Sequence, residues 1–462
     1  MKPPCNPLPP SNNEKDFIVH CSLFIIPSRM KRKIFPAIAF CLTSIVSFAQ
    51  NRFPKPDFES GYEYPVHIYD IPIEPVWIWI DITMLVLLMG FVAWAVIKRG
   101  VRWPVIAVSL FSVAYFGFFR KGCVCSIGSV QNVALALVDP TYAISFTVLL
   151  MFVLPLLFTL FFGRVFCAGV CPFGALQELV NVKNFKLSKT VTTVLGLIPW
   201  IYLTLAVLFA VTNSTFIICR FDPFVGIFRF GGDLGLILFG ALLLIASIFT
   251  GRPFCRFICP YGALLSLFAR VSIFKVELTK KQCINCELCH NACPVDAIKP
   301  PYDNKVKESR LLGVKRILNY FVVLPLMVVA GALLMRSVSS DLSRVHKEVR
   351  LYDMVMQQET DPQDVLSLEL EAFYGKEDTV ESLTERFLII QDDFKFYSTL
   401  AGAFIGLVIG ITLINLSVKR TRKQYEIDNK DCVACGRCFS YCPQNILPLQ
   451  QVKAEKGEKI TQ

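Results

Sequence analysis

Histidine is scarce in this chain. Its 462 residues include four, His20, His67, His290 and His346. None lies within an apolar run long enough to enter a bilayer, which excludes a bis-histidine haem buried in a membrane. Charge is thin as well, with Asp, Glu, Lys and Arg making up 18% of the residues. No glycine-rich loop of useful specificity for nucleotide phosphates is present. What abounds is apolar: 54% of residues are hydrophobic and the mean hydropathy is +0.52. Soluble domains are rarely so apolar, so several membrane spans are expected. The net charge of +11 then reads as lysine and arginine in cytoplasmic loops, with no nucleic-acid partner.

Eighteen cysteines are present. Most fall in tight clusters, and C-x-x-C spacing argues for metal rather than a disulfide framework. Residues 1–29 have no clear pattern and read as an upstream mis-start. Residues 30–49, MKRKIFPAIAFCLTSIVSFA, read as a signal peptide with a basic start at Lys31, Arg32 and Lys33 and a cleavage site at Ser47-Phe48-Ala49. A periplasmic segment, 50–75, would follow. Seven apolar runs then come near the ~20 residues needed to span a bilayer: 76–97, 104–119, 141–162, 191–212, 234–250, 317–335 and 400–418. Counting from an outside start, the basic stretches around Lys98, Lys183, Lys275, Lys315 and Lys419 all fall on the cytoplasmic side, as the positive-inside rule requires. The same count places 337–399 outside. That loop carries a net charge of −8, from 14 acidic and 6 basic residues. Its apolar spacing predicts a small helical cap, either a solvated connection or a docking surface for an outer partner. Asp81 falls inside the first run, as a proton or quinone site or as a shallow acid reaching the headgroups.

Two cysteine strings lie beyond the spans. CINCELCHNACP carries Cys283, Cys286, Cys289 and Cys293, and CVACGRCFSYCP carries Cys432, Cys435, Cys438 and Cys442. Both have the C-x₂-C-x₂-C-x₃-C-P form of bacterial two-cluster ferredoxins, in which the fourth cysteine of each run ligates the other cluster. That pattern predicts one [4Fe–4S] centre on Cys283, Cys286, Cys289 and Cys442, and a second on Cys432, Cys435, Cys438 and Cys293. Zinc knuckles would split their cysteines into distant pairs. The two runs can meet only if the spans 315–336 and 400–418 form a hairpin that returns the chain to the cytoplasm. The first ferredoxin half is then 271–314 and the second 419–462.

A duplication marks the membrane region, 76–270. GRVFCAGVCPFGAL begins at Gly163 and GRPFCRFICPYGAL at Gly251, 88 residues later. Cys167 and Cys171 in one copy, and Cys255 and Cys259 in the other, put two thiols one helical turn apart at a cytoplasmic span end. Two copies about a pseudo-two-fold axis would offer four sulfurs to a further iron or iron–sulfur centre, against the plainer alternative of packed free thiols. Arg164 and Arg252 could offset thiolate charge there. On the opposite side, Cys123, Cys125 and Cys219 could ligate an outer-face centre or form a disulfide.

The combination of two C-x₃-C-P strings at span ends and two ferredoxin runs resembles the NosR/NapH-like membrane polyferredoxins. The resemblance covers roughly 104–293 and the tail after Lys419. It implies two [4Fe–4S] clusters and electron transfer between a cytoplasmic or quinol donor and a periplasmic acceptor, and separately the acidic loop 337–399 could seat a periplasmic flavoprotein or cupredoxin-like partner. No flavin-attachment string of the NosR kind is seen, and an inserted hairpin separates the two runs. The expected architecture is a mainly α, polytopic membrane helix bundle with an internal duplication, carrying a cytoplasmic two-[4Fe–4S] ferredoxin module of small α+β type split by a transmembrane hairpin. The expected place is a bacterial inner membrane. Two other functions fit the same residues: an assembly factor that reduces a metal such as copper for another enzyme, and a redox-sensing regulator.

Overall fold

The computed structural model describes residues 75–122, 126–182, 184–229, 231, 233–278, 283–302, 310–360, 368–375, 379–418, 421–422 and 424–443. The proposed mis-start, the signal peptide, nearly all of the 50–75 segment, Cys123 and Cys125 lie outside them. The described chain is mostly helical.

Four helices are long and apolar enough to cross a membrane: Val76–Lys98, Lys189–Val211, Val314–Ser337 and Val380–Ser417. Four more are apolar but shorter: Trp103–Phe119, Ser129–Val138, Phe146–Phe162 and Leu234–Phe249. Three of the seven expected spans are in this shorter set. The third starts at Phe146 rather than 141, and its 17 residues reach about 25 Å at 1.5 Å per residue. Ser129–Val138 was not foreseen, because its polar Ser129, Gln131 and Asn132 interrupt the apolar pattern. Gln131 is buried, and it ties this helix to its neighbours by donating to the Ala206 carbonyl and accepting from the Ile218 N–H.

The two repeats follow the same order of elements. Trp103–Phe119, Ser129–Val138, Phe146–Phe162 and Pro172–Val180 correspond to the helices up to Val211, Val225–Arg229, Leu234–Phe249 and Pro260–Arg270. Both cysteine strings contribute to one continuous core, with Val165, Phe166, Phe173, Phe254 and Tyr261 among its members.

The hairpin forms from Val314–Ser337 and the 38-residue helix Val380–Ser417. Glycine is required where they cross. A side chain on Gly331 would strike the Gly402 carbonyl, and one on Gly402 or Gly406 would strike the backbone of Gly331 or Met327. The hairpin leans on the bundle through Trp200 and Phe404, whose ring centroids are 6.2 Å apart. The expected last span is only the end of a helix about 57 Å long. Its first half supports the cap helices Ser339–Ser343, Lys347–Thr360 and Leu368–Tyr374 through a small core of Val355, Leu370, Phe373 and Leu383.

Where the hairpin returns, the two ferredoxin halves join. Strand β1, Ile298–Lys299, pairs antiparallel with β2, Glu426–Ile427, with Ile298 opposite Ile427, and a further bridge links Tyr302 to Arg422. The module split in sequence is one unit in space.

Candidate metal centres

The two ferredoxin runs share one backbone. Asn285 and Glu287 in the first, and Ala434 and Gly436 in the second, have left-handed φ of 55°, 65°, 50° and 73°. Each pair stands two and four residues after its first cysteine. Left-handed residues at alternate positions turn successive N–H groups into a concavity suited to an anionic iron–sulfur group. Three of the four carry side chains, each at a cost on the order of 1 kcal/mol. Each run then enters a short helix, Leu288–Ala292 or Arg437–Ser440. The proline after the fourth cysteine forces extended backbone on it, and Cys293 sits at φ −72°, ψ 115°.

The fourth cysteine of each run stands with the other run. Burial pushes the Cys438 thiol up, and Cys435, Cys432 and Cys293 push it further, with a smaller push from Cys289. Cys432 is pushed up to about 12, first by burial and then by Cys435 and Cys293, while the Ala434 N–H and the Arg164 guanidinium pull the other way. Burial also raises Cys289, whose acting sulfur neighbours are Cys286, Cys442 and Cys283. Thiols that crowd and repel in this way lose their protons to a bound metal, so the donor set fits a thiolate-held cluster.

The surroundings of the two runs differ. Cys286 is exposed. Cys432, Cys435, Cys438 and Cys293 pack against the same core that holds Cys167, Cys171 and Cys259, and Val433 and Ala434 belong to it. Pro294 abuts Gly251 at the start of the second repeated string, so closely that a side chain at Gly251 would overlap it.

The repeated strings build a second sulfur site. Cys171 (φ −69°, ψ 118°) and Cys259 (φ −60°, ψ 112°) each cap a helix whose first residue is proline. The Cys259 Sγ accepts from the Gly262 N–H at 3.3 Å. Cys167, Cys171, Cys255 and Cys259 line one small cavity with Ile127, Arg164, Phe166, Tyr261 and Gly262. Among the described residues, no three His, Cys, Asp or Glu side chains stand close enough to hold a single metal ion. The glycine of each Cys-Pro-aromatic-Gly string admits the other repeat. A Cβ on Gly174 would lie 3.2 Å from the Cys167 carbonyl and 3.5 Å from both Arg252 Nη1 and Cys255 Sγ, and one on Gly262 would lie 3.1 Å from Arg164 Nη2. The arginines are exchanged between the two repeated strings.

Glu178 joins the two sites. Its buried carboxylate accepts from Arg252 Nε at 3.1 Å, Arg437 Nε at 2.8 Å and Arg102 Nη2 at 3.2 Å. Arg437 lies between Cys435 and Cys438, and also donates to Asn181 Oδ1 at 2.7 Å. Although burial pushes Glu178 up, Arg252, Arg437 and Arg102 hold it below the usual carboxylate range. One carboxylate among three guanidiniums leaves surplus positive charge. Cys435 and Cys255 act on that same Arg252, so sulfur charge can balance the surplus. Glu178, Asn181 and Arg437 were missed from sequence. The available signal was an acid in an apolar helix directly after a cysteine string.

Other candidates are placed as follows. Cys219 is a free, exposed thiol on Ile217–Arg220. Asp81 is buried within the protein. It accepts from Arg120 Nε and Nη2 at 2.9 and 2.6 Å and from the Tyr115 hydroxyl at 3.0 Å. The string Cys286-Glu287-Leu288-Cys289-His290 has the C-x-x-C-H form of a haem attachment site. It lies inside the first ferredoxin run, where His290 Nδ1 is hydrogen-bonded to the Ile298 carbonyl at 2.7 Å and the ring faces Tyr425.

Comparison with known proteins agrees with this geometry. One 4Fe-4S binding domain family matches twice, at residues 144–190 and 233–279, covering both repeated strings. A second 4Fe-4S binding domain family matches 276–299 and 425–447, the two ferredoxin runs. The chain is 30% identical over 210 residues, 41% of its length, to the regulatory protein NosR of Stutzerimonas stutzeri. It is 34% identical over 154 residues, 30% of its length, to NirI of Paracoccus denitrificans, and 27% identical over 148 residues, 31% of its length, to the ferredoxin-type protein NapH of Escherichia coli. These stretches span 29%, 23% and 51% of the three proteins. No solved structure matches. Two ferredoxin runs closed into one module, a duplicated membrane unit and these relatives make the chain similar to the NosR/NapH-like polyferredoxins, with apolar helices and domains of the kind that bind [4Fe–4S] clusters.

Proposed function

We propose that the chain is an inner-membrane electron relay between a cytoplasmic or quinol donor and a periplasmic redox partner. The observation that carries this reading is the burial of one ferredoxin run in the core that holds the repeated cysteines. In this reading Cys283, Cys286, Cys289 and Cys442 hold a distal cluster that meets the donor. Cys432, Cys435, Cys438 and Cys293 hold a proximal one. Cys167, Cys171, Cys255 and Cys259 hold a third centre at the membrane. Iron–sulfur clusters supply one-electron transfer with little rearrangement. The residues themselves fix order and spacing: Arg437 and Glu178 clamp the proximal run to the membrane unit, Pro294 docks on Gly251, and Cys286 stays open to solvent. The positive-inside count supports a cytoplasmic module and a periplasmic acidic cap at 337–399, where a flavoprotein or similar partner could dock.

Iron and sulfide analysis with EPR of the anaerobically purified, reduced protein tests the reading. Cys167→Ser with Cys255→Ser is expected to remove one signal and leave two. Eight irons and unchanged spectra in that variant would remove the membrane centre. The word regulatory in the name of NosR favours a sensor as the second reading. Steady flux from reduced ferredoxin to an outer acceptor supports the relay, and signalling without flux supports the sensor.

A further inference from the structure

Arg164 and Arg252 begin the two repeated strings, yet their electrical states differ. Arg252 is 0% exposed and each of its three nitrogens is engaged: Nε on the Glu178 carboxylate, Nη2 on the Ala168 carbonyl at 2.6 Å and Nη1 on the Cys167 carbonyl. Arg164 is 7% exposed and donates from Nη1 to the Lys430 carbonyl at 3.1 Å. Its Nε is buried without an acceptor, and among the described residues no carboxylate pairs with it. A guanidinium cannot shed its proton, and a buried cation without a counter-charge is strongly unfavourable. The missing negative charge must come from what the group faces. It faces sulfur on two sides. It lines the cavity of Cys255 and Cys259, and on its other side Nη1 reaches the Lys430 carbonyl, two residues before Cys432, whose thiol it also pulls down.

We infer that Arg164 is the shared counter-cation of the membrane sulfur centre and the proximal ferredoxin centre, and that it raises the reduction potential of both; this rests on the relay reading of those cysteines. The direction follows from charge. Reduction adds an electron to a group already made negative by thiolates, and a fixed cation in a low-dielectric setting favours the reduced form. The unpaired Nε–H is a donor available to a cysteine or sulfide sulfur, and such hydrogen bonds also set the potential. Arg252 contributes less, because Glu178 already offsets its charge. Arg164 is thus a positioning residue for the electron, and the distal centre lies outside its reach.

The test is a redox titration followed by EPR on the full chain with its clusters loaded, in wild type, Arg164→Met, Arg164→Gln and Arg164→Lys. Removing the charge in the Met and Gln variants is expected to lower the proximal potential, and that of the membrane centre, by at least tenfold in the reduction equilibrium, or 59 mV for a one-electron couple. The distal potential stays in place. Arg164→Lys keeps the charge and recovers most of the shift, which a packing role would not produce. A proximal potential that does not move in Arg164→Met or Arg164→Gln overturns the inference, and so does an equal shift at the distal centre. If wild type shows the ferredoxin signals alone, the membrane centre is withdrawn, while the proximal potential still decides on Arg164. If Arg164→Met does not fold, Arg164→Gln gives the same reading with a donor retained.

Discussion

The two ferredoxin runs have the same cysteine spacing and the same left-handed backbone positions, but not the same neighbours. The run at Cys432 is pressed into the membrane unit, with Arg437 clamped on Glu178 and Val433 in the shared core. The run at Cys283 turns to solvent, with Cys286 exposed. Local sequence therefore sets what each loop can bind, while docking sets which loop packs on the membrane unit and which faces solvent. A relay needs that asymmetry, since its first station must be reachable and its second must not be short-circuited.

The comparison breaks most severely at Glu178. Glu178→Ala leaves Arg252 and Arg437 without their carboxylate, and losing one partner of a buried ion pair costs about 3–5 kcal/mol. The expected result is loss of thermal stability in detergent and of the proximal EPR signal. The pH dependence of this clamp has a definite sign. A carboxyl held below its unfolded pKa, about 4.3 for Glu, stabilises the fold fully above that value and loses the contribution as pH falls through the folded pKa. Module docking, read by limited proteolysis after Lys430, should be indifferent to pH near neutrality and fail only in acid.

Next in size is the hairpin that reunites the runs. Gly402→Leu drives a side chain into the Gly331 backbone, and overpacking of this kind costs about 1–3 kcal/mol or more. Cluster content should fall in both centres together, because β1 and β2 then register poorly. A subtler test compares exposure directly. Slow ferricyanide oxidation of the loaded protein should bleach the distal signal before the proximal one, and equal rates would erase the distinction between the runs. The smallest effect is expected at Lys299→Ala. Its pair with Asp431 spans 3.5 Å and is about one-third exposed on each side, so the change in stability should stay within about 1 kcal/mol.

Much of this was legible in the residues. Cysteine spacing followed by proline foretold the ferredoxin loops, because a short loop of fixed spacing has few ways to present its sulfurs. Apolar runs foretold a membrane bundle, and the Gly163 and Gly251 strings exposed the duplication. Other features were not legible. Ser129–Val138 was hidden by polar residues, of which Gln131 bonds across the bundle. The place of the haem-like string at Cys286 was not legible either, since only the fold puts His290 against β1. Cys123 and Cys125 lie outside the described residues, so the outer-face expectation stands where the sequence left it.

The sequence alone determined the ligand chemistry, since thiolate identity and spacing are covalent properties that survive any folding. Only the tertiary structure decided which sulfurs stand near one another, which run packs against the membrane unit and which of two equivalent arginines has no carboxylate partner among the described residues. Those outcomes depend on elements far apart in the chain, Glu178 with Arg437 or Arg164 with Lys430, whose meeting no local pattern encodes.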